Sequence, residues 1–218
     1  MPSYGPFAPG TATFTGADQD WTESDGVTPA SVSLINSLNA VYAWAYPWSI
    51  NAPPTQADNA LTDVILATNF GFAIPANETP SRVIIDIYRK ADGNGSTITA
   101  GSNVRDSSLK LAVAGVATGT SKADTATNWP TSRTQKTYSY LVDGTGWNVA
   151  LTYSQVNASN FGFAFLATGN GGPIALPLPV GEALAWGAID YVTMTVETVM
   201  SSTWSDPCVV VPGFGMRF

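Results

Sequence analysis

The chain has 218 residues, of which 44% are hydrophobic and only 11% are charged, and its sixteen acidic and nine basic residues give a formal net charge of −7. This size fits one large domain or one domain with long arms. The negative charge argues against binding to nucleic-acid backbones or anionic membranes, and no apolar run is long enough for a membrane-spanning helix. We therefore expect no nucleic-acid partner and no insertion into a membrane.

Histidine is absent and Cys208 is the only cysteine, which excludes a histidine general base, histidine-ligated zinc and cysteine-rich zinc sites. The sequence predicts no cofactor and no intramolecular disulfide. Because Met1 begins neither a basic nor an apolar leader segment, it predicts synthesis in the cytoplasm without a signal peptide. Carboxylate chemistry is left, with Asp86, Asp190 and Glu197 as candidates for a glycan hydrolase. These positions suit solvent-facing residues equally well, and we expect no enzyme.

Residues 1–60 are rich in Pro, Gly, Ser, Asn and acids, with aromatic residues interleaved. They predict an ordered N-terminal arm, because disordered segments are poor in aromatic residues. A short helix is expected around Ser31 to Leu38. The acidic run from Asp18 to Asp25 offers oxygen ligands for calcium but lacks the EF-hand spacing. A solvated acidic turn explains it more simply, and calcium binding is left open.

Strand signals follow in succession after this arm. The clearest is the alternation of Val83, Ile85 and Ile87 with partly polar neighbours, which predicts one buried row and one partly exposed row. Strands are predicted at Thr62 to Phe70, Val83 to Tyr88, Ser108 to Val113, Thr137 to Val142, Trp147 to Thr152, Phe161 to Ala167 and Ala188 to Val199.

The pentapeptide Asn-Phe-Gly-Phe-Ala occurs twice, at Asn69 to Ala73 and at Asn160 to Ala164. At both places we expect the chain to turn at Asn and to begin a strand with both Phe side chains on one face. The Gly leaves room for a neighbouring backbone or ring. The repeat predicts equivalent strands in two halves of an antiparallel sandwich.

The whole pattern predicts an all-β antiparallel sandwich at residues 61–200, with an N-terminal arm at 1–60 and a C-terminal arm at 201–218. The aromatic residues of the chain suit either stacking on a sugar or contact with another protein. Trp21, Trp129 and Trp147, in or beside predicted loops, are the candidates for stacking on a glycan. Protein contact is the preferred interpretation because charges are scarce and both arms are aromatic. The predicted partner-contact residues are Tyr42, Trp44, Tyr46, Trp48, Trp204, Val210 and Phe218.

Five features of the sequence form a combined pattern: Val156 to Phe163, Ala188 to Val196, Phe70 to Pro75, Ser81 to Lys90 and the loop residue Trp129. Together they resemble a class of tailed-bacteriophage and prophage structural proteins. In that class a Val-Asn, a short gap and Phe-Gly precede a strand, and a segment of the form Ala-x-x-Asp-x-Val-x-Met-Thr-Val ends the domain. The resemblance covers roughly residues 62–199 and implies a jelly-roll-like domain.

By this resemblance the chain is expected to be a virion component of the tail, baseplate, fibre or capsid surface, where it acts by assembly with other virion proteins. It implies a homo-oligomer, with a trimer expected by analogy. The alternative is a carbohydrate-binding module that attaches the particle to a host-surface glycan, because one fold serves several functions.

Overall fold

The computed structural model describes residues 1–15, 21–23, 28–45, 60–94, 104–169 and 183–200. Strands dominate these residues, and the helical structure among them is a 3-10 turn at Val32–Leu34 and the single-turn helix α1 at Tyr153–Val156. The strands are β1 (Ser3–Phe7), β2 (Thr11–Thr15), β3 (Trp21–Thr22), β4 (Ala43–Ala45), β5 (Ala60–Leu61), β6 (Val64–Thr68), β7 (Glu78–Asn94), β8 (Val104–Val113), β9 (Val116–Thr118), β10 (Thr134–Leu141), β11 (Gly162–Gly169) and β12 (Ala183–Met200).

Two antiparallel sheets of six strands each form the sandwich within the described residues. Sheet A has the order β10-β7-β12-β4-β3, with β1 also paired to β12. Sheet B has the order β2-β6-β11-β8-β9, with β5 also paired to β11. The chain crosses repeatedly between the sheets, so that β12 lies between β4 and β7 while β11 lies between β6 and β8. This is jelly-roll order, and it confirms the predicted fold class.

The core lies between the sheets and follows the predicted alternation. Val83, Ile85 and Ile87 on β7 are fully buried, whereas their neighbours in the other row are half-buried. Met194 and Val196 on β12 lie opposite Ile85 and Val83 and share their inward face. Six of the seven predicted strands are present with shifted ends. The exception is Trp147 to Thr152, which forms no strand although alternate residues of it are buried.

The described part of the predicted N-terminal arm belongs to the sandwich, so the predicted boundary at residue 60 does not separate it from the sheets. Strand β1 pairs with β12, β2 pairs with β6, and β3 and β4 extend sheet A. Trp21 anchors β3 by donating its indole N–H to the carbonyl of Asp63 at 2.8 Å. These strands satisfy their backbone groups on sheet neighbours, which a detached arm cannot do. The predicted C-terminal arm at 201–218 lies outside the described residues.

The two Phe-Gly-Phe copies lie side by side at one end of sheet B. The second copy opens β11, as predicted, and Gly162 lies opposite Thr68 of β6. The first copy follows β6 instead of beginning a strand, because Asn69 and Gly71 adopt left-handed φ values of 60° and 73°. The rings of Phe70 and Phe163 then lie 6.0 Å apart. The repeat thus builds one aromatic cluster from two different backbone conformations.

Candidate functional site

The outer face of sheet A carries a group of aromatic and charged side chains. Trp44 on β4 lies opposite Ala188 on β12, which lies opposite Lys90 on β7. Directly opposite residues share one face of a sheet, so Trp44 and Lys90 lie on either side of the small Ala188 side chain. The Lys90 Nζ lies 4.7 Å from the ring centroid of Tyr42 and 4.9 Å from that of Trp44. This arrangement is a cation–π contact with two rings at once.

A second aromatic pair lies in the next row of the same face, about 7 Å along the strands. Tyr88 on β7 lies opposite Tyr191 on β12, and their ring centroids are 5.8 Å apart. The Tyr88 hydroxyl donates to Oε1 of Gln135 on β10 at 2.8 Å. Both tyrosine rings are half-buried, so part of each stays open to a binding partner.

A charged pair completes this face. The Arg133 Nη1 donates to the Asp190 Oδ2 at 2.6 Å, and that hydrogen bond raises the pKa of Arg133 above its usual value. The phenol groups of Tyr42 and Tyr88 lie near enough to raise the pKa of Arg133 further. Asp190 lies where the β12 register shifts against β7, is fully buried, and keeps its Oδ1 without a hydrogen-bond partner. Arg133 therefore covers a buried carboxylate, while 35% of its own side chain remains exposed to solvent.

We call these side chains the outer-face cluster. Its members are Tyr42, Trp44, Tyr88, Lys90, Arg133, Asp190 and Tyr191. The cluster contains two cations and one carboxylate, on a chain of net charge −7. Tyr, Trp and Arg are the residue types that carry most binding energy in protein interfaces. The arrangement is suited to recognition, because its charges are already held by neighbours.

A buried network joins the two sheets and explains where Trp129 lies. Asp106 on β8 forms an ion pair with Arg89 on β7 and accepts hydrogen bonds from the Tyr138 hydroxyl and from the Trp129 Nε1, the latter at 2.8 Å. Burial raises the pKa of Tyr138 and lowers that of Arg89. The Arg89 guanidinium also lies 5.0 Å from the Trp129 ring centroid. This network is structural, because each group is sealed between the sheets.

The predicted glycan-stacking residues are wrong as an exposed platform. Trp129 is 2% exposed, Trp147 is 0% exposed and Trp21 is 1% exposed. Each indole N–H finds a buried acceptor, and Trp147 donates to the carbonyl of Val83 at 3.1 Å. A tryptophan can be buried completely when its indole N–H has a hydrogen-bond acceptor inside the core. None of these rings is open to a sugar.

The predicted partner-contact residues divide into two groups. Tyr42 and Trp44 come together in the outer-face cluster, where Trp44 is more buried than predicted, at 8% exposure. The other five lie outside the described residues: Tyr46, Trp48, Trp204, Val210 and Phe218. Most of the acidic run at 18–25 also lies outside them. In the described part of the chain, no three acidic or cysteine side chains are grouped as they would be to hold a metal ion.

Sequence reasoning missed Tyr88, Lys90, Arg133 and Tyr191 as members of a site. The alternation along β7 already placed Tyr88 on the outer row, but its partner Tyr191 is a neighbour only through the sheet order. The hydrolase candidates are all engaged on this same face: Asp190 with Arg133, Asp86 with Thr137, and Glu197 with Arg82 at 3.2 Å.

A shallow depression of about 390 Å³ lies at one end of the sandwich, where residues Thr79 and Pro80 meet Val142 and Val149. Its lining is mostly apolar, and the Asp143 carboxylate is used within its own turn by the backbone N–H groups of Thr145 and Gly146. It offers no convergent polar groups and is not the site.

The described helices are all too short to cross a membrane. Comparison of the chain with protein-family models, with curated proteins and with solved structures finds no match. The function is therefore argued from the fold and the outer-face cluster.

Proposed function

We propose that this chain is a structural component of a tailed-phage virion, synthesised in the bacterial cytoplasm, and that it acts by protein–protein assembly. It belongs to the tail, baseplate or fibre region or decorates the capsid, and it assembles as a homo-oligomer with other virion proteins. The jelly-roll order of the sheets is the fold that the sequence resemblance implies. Few charged residues, 11% of the chain, suit a surface that is largely covered in a permanent assembly.

The observation that carries this proposal is the outer-face cluster. Tyr88 and Tyr191 present half-buried rings, and Arg133 and Lys90 add positive charge beside them. Rigid aromatic side chains lose little conformational entropy on binding, and β-strands hold them in fixed positions. The cluster is therefore pre-organised for binding. It suits a surface of another virion protein that carries acidic groups or a pocket for aromatic rings.

Particles produced from the bacterial strain that encodes the chain test this proposal. After density-gradient purification, mass spectrometry is expected to find the chain in the particle fraction. The double variant Tyr88→Ala/Tyr191→Ala is expected to reduce incorporation at least tenfold, since both rings leave the contact surface. Tyr153→Ala removes a more exposed tyrosine, 39% exposed, from α1 and serves as the control outside the cluster.

Circular dichroism of the free variants establishes that each still folds. A chain that is absent from the particles would contradict the assignment to a virion. Equal incorporation of the double variant and the control would contradict the role of the outer-face cluster.

A glycan-binding function is the second candidate, and the same tyrosines favour it. The rings of Tyr88 and Tyr191 are partly open and lie beside the amide of Gln135, which combines a stacking surface with hydrogen-bonding groups. A glycan array with the purified chain tests this candidate. Binding that Tyr88→Ala/Tyr191→Ala abolishes would support attachment to a host-surface glycan, and an array without binding would remove it.

A further inference from the structure

One end of the sandwich has an apolar surface that the described residues leave open. It is the depression of about 390 Å³ described above. Val142, Val149 and Leu151 are buried in its lining, whereas Asp143 and Asn148 at its rim are exposed. An apolar lining with a polar rim suits an aromatic side chain that has an apolar body and a polar group at its edge.

The last described strand ends beside this depression. Val199 on β12 lies directly opposite Thr79 on β7, and Thr79 is part of the lining. Val199 and the next residue, Met200, are 39% and 69% exposed. Because directly opposite residues share one face of a sheet, Val199 extends the open surface from the depression to β12. The chain thus leaves the described part of the structure next to an uncovered apolar surface.

The segment that follows brings one large apolar side chain within reach. Residues 201–208 are Ser-Ser-Thr-Trp-Ser-Asp-Pro-Cys, so Trp204 stands among small or polar residues. From Met200 to Trp204 the chain spans at most about 14 Å. Val142 is hydrogen-bonded to Ser81 of β7 and so lies two strand spacings, about 10 Å, from β12. The reach of the segment therefore matches the distance to the depression.

The other long segments outside the described residues adjoin a different part of the molecule. They are residues 46–59, 95–103 and 170–182. They adjoin Ala45, Asn94 and Ala183, which lie at the end of sheet A opposite to Thr79. Their connections to the depression are therefore much longer than the three residues that separate Met200 from Trp204. A short connection gives a high effective concentration, which favours Trp204 as the occupant.

We propose that the Trp204 side chain fills the depression at the end of its own sandwich. The indole covers the apolar lining, and its N–H stays at the polar rim. The described part of the predicted N-terminal arm provides a precedent, because its strands pair with the sheets of their own chain. This assignment differs from the predicted contact of Trp204 with a partner. It does not rest on the outer-face cluster, in which Lys90 lies eleven residues further along β7 than Thr79.

A double-mutant cycle in urea tests the contact in the full chain. Trp204→Ala is expected to raise the equilibrium constant for unfolding at least about tenfold, because the depression is open again. In a Val149→Ala background the effect of Trp204→Ala is expected to be at least about threefold smaller, because part of the contact is already lost. The matched control is Val104→Ala, which truncates a buried valine outside the depression. Equal effects of Trp204→Ala in all three backgrounds would overturn the proposal.

Thiol labelling locates the indole without a measurement of stability. All variants carry Cys208→Ser, so that the introduced thiol is the only one. Ala150→Cys places a thiol at an exposed position of the lining, where N-ethylmaleimide is expected to react several-fold faster when Trp204→Ala is added. The control is Val116→Cys on β9, whose labelling rate is expected to be the same with and without Trp204→Ala. An unchanged rate at Ala150→Cys would overturn the proposal.

Protein concentration distinguishes the chain's own segment from that of a second copy. The destabilisation by Trp204→Ala is expected to be the same at low and high protein concentration, because the contact lies within one chain. An effect that grows with concentration would show that a second copy supplies the indole, and would overturn the proposal. Each of these failures leaves the proposed function standing, because incorporation through Tyr88 and Tyr191 is measured separately.

Discussion

At the residue scale, the buried carboxylate of Asp106 holds the two sheets together. It neutralises Arg89, which is 3% exposed, and accepts hydrogen bonds from Tyr138, Trp129 and the backbone N–H of Asp124. Removing one partner of a buried pair is costly because the other charge stays behind in a medium of low polarity. Replacing both partners by apolar residues of similar volume avoids that penalty.

We predict that Asp106→Asn lowers the free energy of unfolding by about 3–5 kcal/mol, because Arg89 then stays buried and uncompensated. The control is Glu197→Gln, which breaks the more exposed Arg82–Glu197 pair and is expected to cost about 0–1 kcal/mol. Urea denaturation measures both. The double variant Arg89→Met/Asp106→Asn is expected to recover part of the lost stability, because no unpaired charge stays buried and the asparagine amide oxygen still accepts a hydrogen bond. Similar small effects for Asp106→Asn and Glu197→Gln would contradict this account.

The two motif glycines are predicted to respond differently to alanine. A Cβ at Gly162 would overlap the carbonyl oxygen of Ala67, so Gly162→Ala forces β11 away from β6 and is expected to cost about 3 kcal/mol. At Gly71 a Cβ meets open space, but the left-handed φ makes Gly71→Ala cost about 1 kcal/mol. Urea denaturation of the two variants compares them, and equal losses would show that the copies are equivalent.

At the element scale, the loop at residues 119–133 is tied to both sheets. Lys122 donates its N–H to the Leu109 carbonyl, Trp129 donates to the Val104 carbonyl, and the Pro130 carbonyl accepts from Ala91. The side chain of Lys136 on β10 bonds Asp124 at 2.6 Å. These contacts bring Trp129 into the core and Arg133 onto the outer face.

The contact between Asp124 and Lys136 makes part of the folding stability depend on pH. The hydrogen bond from Lys136 lowers the pKa of Asp124 from 3.8 to about 2, so the unfolded chain binds this proton more readily than the folded chain. We predict that this contribution is present above about pH 4 and is lost as the pH falls towards about 2. Melting temperatures measured from pH 2 to 5 are expected to fall less steeply for Asp124→Asn and for Lys136→Gln. Slopes identical to that of the wild type would contradict the prediction.

The strands were predictable where one face is buried. Val83, Ile85 and Ile87 mark β7 because the period of two in the sequence matches the two faces of a half-buried strand. The conformation of the first Phe-Gly-Phe copy is not predictable from its residues, because the same residues occur in a left-handed turn and at the start of a strand. The strands in the described part of residues 1–60 are not predictable, because they are short and lie among prolines and glycines.

The candidate site was less predictable than the fold. Tyr42 and Trp44 were predicted as contact residues, but their grouping with Lys90 depends on β4 and β7 both pairing with β12. Trp129 and Trp147 were placed at the surface because loops are usually exposed. Their burial depends on acceptors supplied by distant strands, Asp106 for one and Val83 for the other. No local pattern in the sequence carries that information.

At the scale of the whole molecule, the two sheets have different surroundings. Sheet A carries the outer-face cluster, whereas the outer row of sheet B includes Lys110 on β8 without a comparable aromatic group among the described residues. A jelly roll is rigid because both sheets share one core, so a partner that docks on sheet A meets a preformed surface. We therefore propose the outer face of sheet A as the assembly surface.

Amine footprinting of the free chain and of purified particles tests this assignment most directly. Lys90 is a member of the outer-face cluster, and Lys110 on sheet B is the internal control. We predict that Lys90 reacts with an amine-specific reagent at least tenfold more slowly in particles than in the free chain, while the rate at Lys110 changes much less. Equal reactivity of Lys90 in the two states would contradict the claim that the outer face of sheet A is the assembly surface.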